Sequence, residues 1–242
     1  MTQPTVDARL FDVMYSCRAM RRLKPDPVPE ATLLQLVEAA LQAPSGSNAQ
    51  TWRFIIVRDR AQKERLRTIW AKTWGFYLDT LAKMPARAGE DLAAPERMLA
   101  AGTWQLEHFL EIPALVCVCV AQDEEQARLL QSPATFVKMV RHFGLGGTLR
   151  LARGLGRTTG IADGSTAYPA VQNLLLAARA LGLGAVLTTQ HFFVPGEFEA
   201  VLGIPSKLTL AAVVPVGWPK GKFGPVKRPD PASVVRWDRW SA

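Results

Sequence analysis

The chain has 242 residues, of which 48% are apolar and 21% are charged, as is usual for a soluble globular protein with a substantial core. Its 29 basic and 21 acidic residues leave a net charge of +8, which favours anionic ligands such as phosphates and nucleotides. The longest apolar runs, 112–121 and 208–216, are far shorter than the roughly 20 residues of a membrane helix. Because the N-terminus also lacks the apolar centre of a signal peptide, we expect a cytoplasmic protein without membrane contact.

The first half of the chain is predicted to contain three helices and one strand. Apolar residues recur at helical spacing over 6–17, 29–43 and 59–70. The run from Trp52 to Arg58 is apolar and β-branched, which is typical of a buried strand. The tract 72–102 is less regular and is predicted to be helical with loops.

The middle of the chain combines a strand with a basic excursion. A helix over 104–110 leads into a strand over 113–121, in which Cys117 and Cys119 share one face and are interpreted as core residues. The segment 136–160 contains no acid and is interrupted by glycines, so we expect a solvated or lid-forming loop there. Its cations are Lys138, Arg141, Arg150, Arg153 and Arg157.

The last third is predicted to contain the most apolar helix, over 166–181, which should be buried in the core or between subunits. The C-terminal tail carries Trp237 and Trp240, and we expect it to pack on this subunit or on a neighbouring one. The remaining elements are a strand from 185 to 189, a short helix from 195 to 202 and a strand from 208 to 217. Strands separated by long helices without regular alternation indicate an α+β sheet covered by helices on both faces. We therefore expect one domain over 1–242, with excursions at 72–102 and 136–160.

Two stretches carry the candidate ligand chemistry. Residues 18–24 contain four cations, namely Arg18, Arg21, Arg22 and Lys24, and a proline-rich turn follows them. Residues 43–52 supply small side chains, hydroxyls and amides. A phosphorylated flat cofactor needs both kinds of group, although a solvated basic helix end would explain the first stretch by itself. The histidines and cysteines show no metal-binding spacing, and no metal site is predicted.

Five blocks in order resemble the FMN-dependent nitroreductase family. They cover most of the chain, and their order is more specific than any one of them. The blocks are Arg18 to Arg22 with Lys24 to Pro29, Ala43 to Phe54, Ala167 to Ala178, Gly182 to Thr189, and Val216 to Pro219 followed by Gly224 to Arg228.

The resemblance implies a nitroreductase-like fold, with a central, mostly antiparallel sheet covered by helices and an intertwined homodimer that binds two FMN molecules at its interface. Arg18, Arg21 and Arg228 match phosphate and ribityl contacts, and Arg21 also matches a cation at the pyrimidine edge of the ring. The loop at Ser45 would come from the opposite subunit. The full set of implied cofactor-binding residues is Arg18, Ala19, Met20, Arg21, Arg22, Pro44, Ser45, Gly46, Ser47, Asn48, Gln50, Leu187, Thr188, Thr189, Lys227 and Arg228.

Three positions depart from the family pattern. Cys17 and Ala19 replace an arginine and a serine of the usual Arg-Arg-Ser-x-Arg opening, so one phosphate donor and one hydroxyl are missing. Thr51 stands where a proline is common. No residue is matched to the family's mid-chain Asn and Lys contacts.

The reaction implied by the resemblance is a ping-pong transfer of hydride from NADH or NADPH to a flat small-molecule acceptor such as a nitroaromatic or a quinone. The flavin performs the redox step, and no side chain is predicted to act as nucleophile or acid. The same fold also suits ene reduction, dehalogenation or flavin fragmentation. A non-catalytic flavin-sequestering protein and an anion- or nucleic-acid-binding module are further alternatives. Nucleic acid is not the expected partner, because the sequence shows neither interleaved aromatics nor a helix-turn-helix.

Overall fold

The structure, a computed structural model, describes residues 10–83, 93–121, 128–129 and 132–240. Its centre is an antiparallel sheet of four strands in the order β1-β2-β4-β3. The strands are β1 (Trp52–Val57), β2 (Ala114–Ala121), β3 (Gly184–Ala185) and β4 (Leu208–Gly217). This arrangement confirms the predicted α+β class.

Helices cover both faces of the sheet, as predicted. One face packs against α2 (Glu30–Ala40) and the C-terminal part of α5 (Pro133–Ala180). The other face packs against α3 (Arg60–Asp79), and both Cys117 and Cys119 point to it. The remaining helices are α1 (Leu10–Ser16), α4 (Ala93–Glu107), α6 (Glu197–Leu202) and α7 (Pro231–Val234), with 3-10 turns at Gly46–Asn48, Leu81–Lys83, Phe109–Glu111 and Gln190–Phe193.

The central strands are buried on both faces, which explains their nearly continuous apolar sequence. Val116 and Val118 face the α2–α5 layer, whereas Leu115 and Cys117 face α3. All four side chains are fully buried. A strand covered on both sides has no polar face, so it shows an apolar run rather than an alternation.

The prediction of a loop over 136–160 is wrong, because helix α5 begins at Pro133 and continues to Ala180. Its start is favoured by Ser132, whose Oγ accepts the N–H of Thr135 at 3.2 Å, and by a proline in the first turn. Only Gly144 leaves helical geometry, with φ 67°. Each further glycine costs a helix only about 1 kcal/mol, which leaves the helix intact.

Other boundaries also differ from the predictions. Helix α3 extends to Asp79 instead of ending near residue 70, and β3 has two residues instead of five. Part of the irregular tract 72–102 lies outside the described residues, but its ends belong to α3 and α4.

Apolar side chains remain exposed at both ends of the chain. Trp237 and Trp240 are 84% and 81% exposed, so the tail does not pack on its own subunit. On α1, the exposed apolar side chains are Leu10, Phe11, Met14 and Tyr15. Within the described ranges, no helix has a stretch long and apolar enough to cross a membrane, α5 included.

Candidate functional site

The basic segment 18–24 is held where β3 and the end of β4 meet. The N–H of Met20 donates to the carbonyl oxygen of Ala185 at 3.0 Å. The N–H of Lys24 donates to the carbonyl oxygen of Trp218 at 2.7 Å. These backbone bonds extend the sheet edge and fix the direction in which each side chain points.

The side chains of the segment are divided between core and surface. Met20 and Leu23 are buried beside Gly184, where an added Cβ would lie 2.9 Å from both Leu23 Cδ2 and Met20 Cβ. A residue without a side chain is therefore required for this close approach. Arg21 is half-buried, whereas the exposed members are Arg18, Ala19, Arg22 and Lys24.

Arg21 borders a cavity of about 280 Å³ that lies between α3, α4 and the chain after β3. Burial lowers the pKa of its guanidinium, and Tyr77 acts in the opposite direction. Arginine nevertheless stays charged in proteins, so the cavity has a permanent cation in its wall. The other lining residues are Trp70, Trp74, Tyr77, Met98, Gly102, Gln105, Leu187, Thr188, Thr189, Gln190 and Phe193.

Residues 187–189 enter this cavity because Thr188 is anchored to β4. Its N–H donates to the carbonyl oxygen of Val213 at 3.1 Å, and its carbonyl oxygen accepts the N–H of Val213 at 3.1 Å. The Thr188 hydroxyl donates to the same carbonyl at 2.6 Å. The chain segment is thereby rigid, and Leu187 and Thr189 are set beside Arg21.

Two carboxamide atoms at the cavity lack partners. Gln105, on α4, is 2% exposed, and its Nε2 has no hydrogen-bond partner among the described residues. The Oε1 atom of Gln190 is also buried and has no hydrogen-bond partner among the described residues. An unsatisfied buried donor or acceptor costs about 1–3 kcal/mol, and both atoms are closed off from solvent and from the cavity.

A second cationic group surrounds Cys17. Burial raises the pKa of its thiol, while the charges of Arg179 and Arg228 oppose this shift. The Nε of Arg179 donates to Ser16 Oγ at 2.9 Å, and its guanidinium lies 4.1 Å from the ring centroid of Phe223. Arg179 therefore comes close to the position where the expected arginine is missing.

The chain after β4 completes this cationic group. The N–H of Val226 donates to the carbonyl oxygen of Tyr15 at 3.0 Å, which brings the segment against the end of α1. Arg18 Nη1 lies 3.8 Å from where a Cβ on Gly224 would be. Arg228 and Lys227 are both exposed. The Nη1 of Arg228 donates to the carbonyl oxygen of Lys227 at 2.8 Å. In the described part of the chain, no carboxylate forms an ion pair with Arg18, Arg21, Arg179 or Arg228.

The polar loop 44–50 lies at the opposite end of the sheet. It leads into Trp52, which pairs with Val120 at the far end of β2, whereas the basic segment lies near Gly184. The two ends of β2 are separated by about 20 Å at 3.3 Å per residue. The Oγ of Ser45 accepts the N–H of Gln50 at 3.0 Å and shapes the loop. Its exposed members are Pro44, Gly46, Ser47, Asn48, Ala49 and Gln50, and Ser47, Asn48 and Gln50 have positive φ.

Comparison with known proteins identifies the family. The model of the nitroreductase family matches residues 15–153 and 161–218. The chain belongs to the nitroreductase family. This finding confirms the resemblance seen in the five sequence blocks. The matched region contains both the basic segment 18–24 and the cavity.

Relatives within the nitroreductase family have diverse names. An "NADH dehydrogenase" of Thermus thermophilus is 29% identical over 98% of both chains. An iodotyrosine deiodinase of Thermotoga neapolitana is 26% identical over 87% of this chain and 88% of its own. A crystal structure of oxidized iodotyrosine deiodinase bound to FMN and 3-iodo-L-tyrosine superimposes with TM-score 0.63 at 25% identity, covering 96% of this chain and all (100%) of the other.

The nitroreductase fold brings together only some of the residues predicted to bind cofactor. Arg21 meets residues 187–189 at the cavity, and Arg18 approaches the segment that carries Arg228. The loop 44–50 stays apart from both. Their roles remain predictions.

Sequence reasoning missed Arg179, Gln105 and Gln190. Arg179 resembles the cation that commonly ends a helix, and an isolated glutamine has no local pattern. The tryptophans of α3 resembled ordinary core residues. They become site candidates only through the contacts that folding creates.

The burial of His191, which directly follows Gln190, predicts that the stability of the protein depends on pH. It is 2% exposed, its Nε2 lies 2.8 Å from the carbonyl oxygen of Leu210, and burial lowers its pKa below 6.5, although that bond and Glu199 act in the opposite direction. His191 therefore takes up a proton near pH 6.5 in the unfolded chain but only at lower pH in the folded chain. Because protonation then favours the unfolded state, the free energy of unfolding falls as the pH drops through 6.5.

In urea unfolding between pH 7.5 and 5.5, the parent should lose up to about 1.4 kcal/mol per pH unit relative to His191→Gln. His142→Gln, on an exposed position of α5, is the matched control and should follow the parent. Parallel pH profiles for the parent and His191→Gln would contradict the prediction.

Proposed function

We propose that the protein is an FMN-dependent oxidoreductase that uses NADH or NADPH to reduce nitroaromatics, quinones or similar flat acceptors. The observation that carries the proposal is the pairing of a fixed cation, Arg21, with a cavity lined by aromatic side chains and by residues 187–189. Family membership and an FMN-bound relative support the same cofactor. When bound, FMN supplies the two-electron redox chemistry between the nicotinamide and the acceptor.

The residues of the chain fit this cofactor at both ends. Arg18, Arg179 and Arg228 form a cationic group that has no carboxylate partner in the described part of the chain, which suits a phosphate dianion. Arg21 follows Arg18 by three residues, at most about 11 Å of extended chain, and faces the aromatic cavity suited to the ring. Segment 18–21 would therefore run alongside the cofactor from phosphate to ring.

The protein's part in the reaction is binding and electrostatics. With FMN bound in the cavity, Arg21 would supply positive charge near the ring, and such a charge would favour the reduced state. Because Thr188 is anchored to β4, the backbone of residues 187–189 is held in place and would border the ring of a bound FMN. No side chain at the cavity is assigned as a nucleophile or general acid.

A homodimer would complete the site. The loop 44–50 lies about 20 Å along β2 from the basic segment of the same chain, which supports a second subunit as its source if the loop contacts the ring. The exposed apolar residues of α1 and the exposed Trp237 and Trp240 offer surface for such an interface. Sedimentation analysis should give twice the mass of one chain.

A visible spectrum of the purified protein, followed by anaerobic addition of NADH or NADPH, tests the proposed activity. Flavin bands should bleach with a nicotinamide and recover on addition of a quinone or nitroaromatic. A protein that takes up no added FMN would refute the proposal. Flavin that binds but never turns over would favour a flavin-sequestering role.

Reductive dehalogenation is a second candidate, supported by iodotyrosine deiodinases among the relatives. The reduced protein can be offered 3-iodo-L-tyrosine in the same anaerobic assay. Iodide release faster than quinone reduction would favour dehalogenation.

The shared site predicts complementation between two defective subunits. The leucine side chain of Gly46→Leu should prevent the loop 44–50 from contacting a flavin ring. It should not disturb the fold of the chain that carries it, because no atom lies within 4 Å of a Cβ added at Gly46. Arg228→Ala should remove a phosphate contact on the other part of the site. Co-expression of the two single variants should restore one intact site in each mixed dimer.

The result is read as FMN bound per dimer, with a subunit carrying both changes beside a normal subunit as control. The dimer of a doubly changed subunit and a normal subunit should keep one intact site only if each site lies within a single chain. Mixed dimers of the single variants that bind no FMN, beside a control that does, would place the loop in its own chain's site.

A further inference from the structure

The N-terminal half of α5, residues 133–154, carries a concentration of exposed apolar side chains. Of these residues, Thr148 alone is buried. Scattered single apolar residues are normal on a protein surface, whereas a concentration of them in one segment indicates a surface that binds something. Each of the large apolar side chains is between 38% and 66% exposed, and they are Phe136, Val137, Phe143, Leu145, Leu149 and Leu151.

Because the segment is helical, its apolar and basic side chains are sorted onto different faces. Before the break at Gly144, apolar residues recur every three or four positions from Phe136 to Phe143, which places them on one face. Lys138 and Arg141 lie on the other side of the same helix and are exposed. This part of α5 is therefore amphipathic, with both faces accessible.

The division continues after Gly144. Leu145 and Leu149 are four residues apart and share a face, whereas Arg150 and Arg153 are three apart and share the neighbouring face. All four side chains are exposed. The apolar and basic faces thus extend over both parts of the segment.

The charge of this surface has a single sign. Residues 133–162 contain no acid, and in the described part of the chain no carboxylate forms an ion pair with the cations of 133–154. The same face of a second copy would bring cations against cations. Acidic polymers and nucleic acid would pair with the cations but leave the phenylalanines and leucines in water. An anionic bilayer offers both kinds of contact, because its headgroups attract cations and its interior accepts apolar side chains.

We infer that residues 133–154 of α5 form a surface that binds an anionic lipid bilayer, with the apolar face inserted between headgroups and the cations at the lipid phosphates. The contact is peripheral, since the segment lies on the bilayer and does not cross it. The sequence predicted a loop here and no membrane contact, and a loop would not sort the side chains onto faces. None of the residues 133–154 lines the cavity beside Arg21, so the inference is independent of the proposed function.

Flotation of the full chain with lipid vesicles tests the inference. The protein should float with vesicles that contain about one-third phosphatidylglycerol and remain at the bottom with pure phosphatidylcholine. Raised salt should weaken the binding, because it screens the attraction between the cations and the headgroups.

Phe136→Ser combined with Phe143→Ser tests the apolar face. Vesicle binding should fall at least about tenfold, because two aromatic side chains can no longer insert. Both residues are exposed and serine has a similar helix propensity, so the melting temperature should not change. Leu34→Ser combined with Leu41→Ser is the matched control, since it removes two exposed apolar side chains seven residues apart elsewhere, and it should bind vesicles like the parent.

Arg150→Gln combined with Arg153→Gln tests the cations. Each cation at a lipid surface contributes roughly fivefold, so binding should fall about tenfold or more. Arg65→Gln combined with Lys207→Gln removes the same charge from exposed positions outside α5 and is the matched control. It should bind vesicles like the parent.

The other occupants of this surface give different results. The inference is overturned if the parent does not float with anionic vesicles, floats equally with phosphatidylcholine, or floats undiminished in both α5 variants. If the parent stays unbound and the α5 variants lower its mass in sedimentation, the surface contacts a second copy of the chain. If the parent is retained on immobilised polyglutamate but does not float, the partner is an acidic polymer.

Discussion

Replacing Arg228 with alanine is expected to weaken FMN binding by roughly tenfold to a hundredfold, and Arg18→Ala should have an effect of the same order. Each change would remove a proposed charge-assisted hydrogen bond to the phosphate, worth about 1.5–3 kcal/mol, and tenfold in affinity corresponds to about 1.4 kcal/mol. Neither guanidinium has a carboxylate partner in the described ranges, so the phosphate would be its principal counter-charge. The dissociation constant is measured by flavin fluorescence quenching.

Arg65→Ala is the matched control for these two variants. Arg65 is an exposed arginine of α3, so the variant has the same change in net charge without the loss of a predicted contact. It should bind FMN like the parent. If Arg18→Ala and Arg228→Ala also retain FMN like the parent, the phosphate assignment is wrong. Arg179→Gln extends the test to the cation near Cys17.

Gly184→Ala is expected to destabilise the protein by about 1–3 kcal/mol and to weaken FMN binding at the same time. The new Cβ would lie 2.9 Å from Met20 Cβ and from Leu23 Cδ2, and 3.3 Å from Pro219 Cβ. Overpacking of this size forces side chains and backbone to shift. Because Met20 and Leu23 anchor the basic segment, the displacement would also move Arg18 and Arg21.

Gly221→Ala is the control for this change, since its Cβ would meet only Met20 Cε, at 3.8 Å. Its urea midpoint and FMN affinity should match those of the parent. Gly184→Ala with parent-like stability and affinity would show that the segment tolerates the shift. A loss of stability without a loss of affinity would separate the anchoring of the segment from cofactor binding.

The elements that sequence predicted best are those whose local pattern leaves few alternatives. The strand over 208–217 was predicted with the bounds that the structure has, and that over 113–121 differs by one residue. Both are apolar runs bounded by turn residues. Helix α5 was predicted only from residue 166, because the glycines before it indicated a loop; only Gly144 among them departs from helical geometry.

The candidate site was predictable where short motifs carry it. Arg21 and residues 187–189 were proposed separately and meet at one cavity. The aromatic walls were not proposed, because the tryptophans of α3 have the same spacing whether they line a core or a cavity. The location of the loop 44–50 was likewise open until the strand register placed it at the other end of the sheet.

The sequence by itself determined the family, the buried strands with the long helices that separate them, and the cations that an anionic cofactor needs. Those features depend on residues close together in the chain, where periodicity and motif order are informative. Only the tertiary structure decided that Arg179 stands beside Cys17 and that Gln105 and Gln190 line one cavity. Such contacts join residues far apart in sequence, and their energies depend on burial, which no local pattern records.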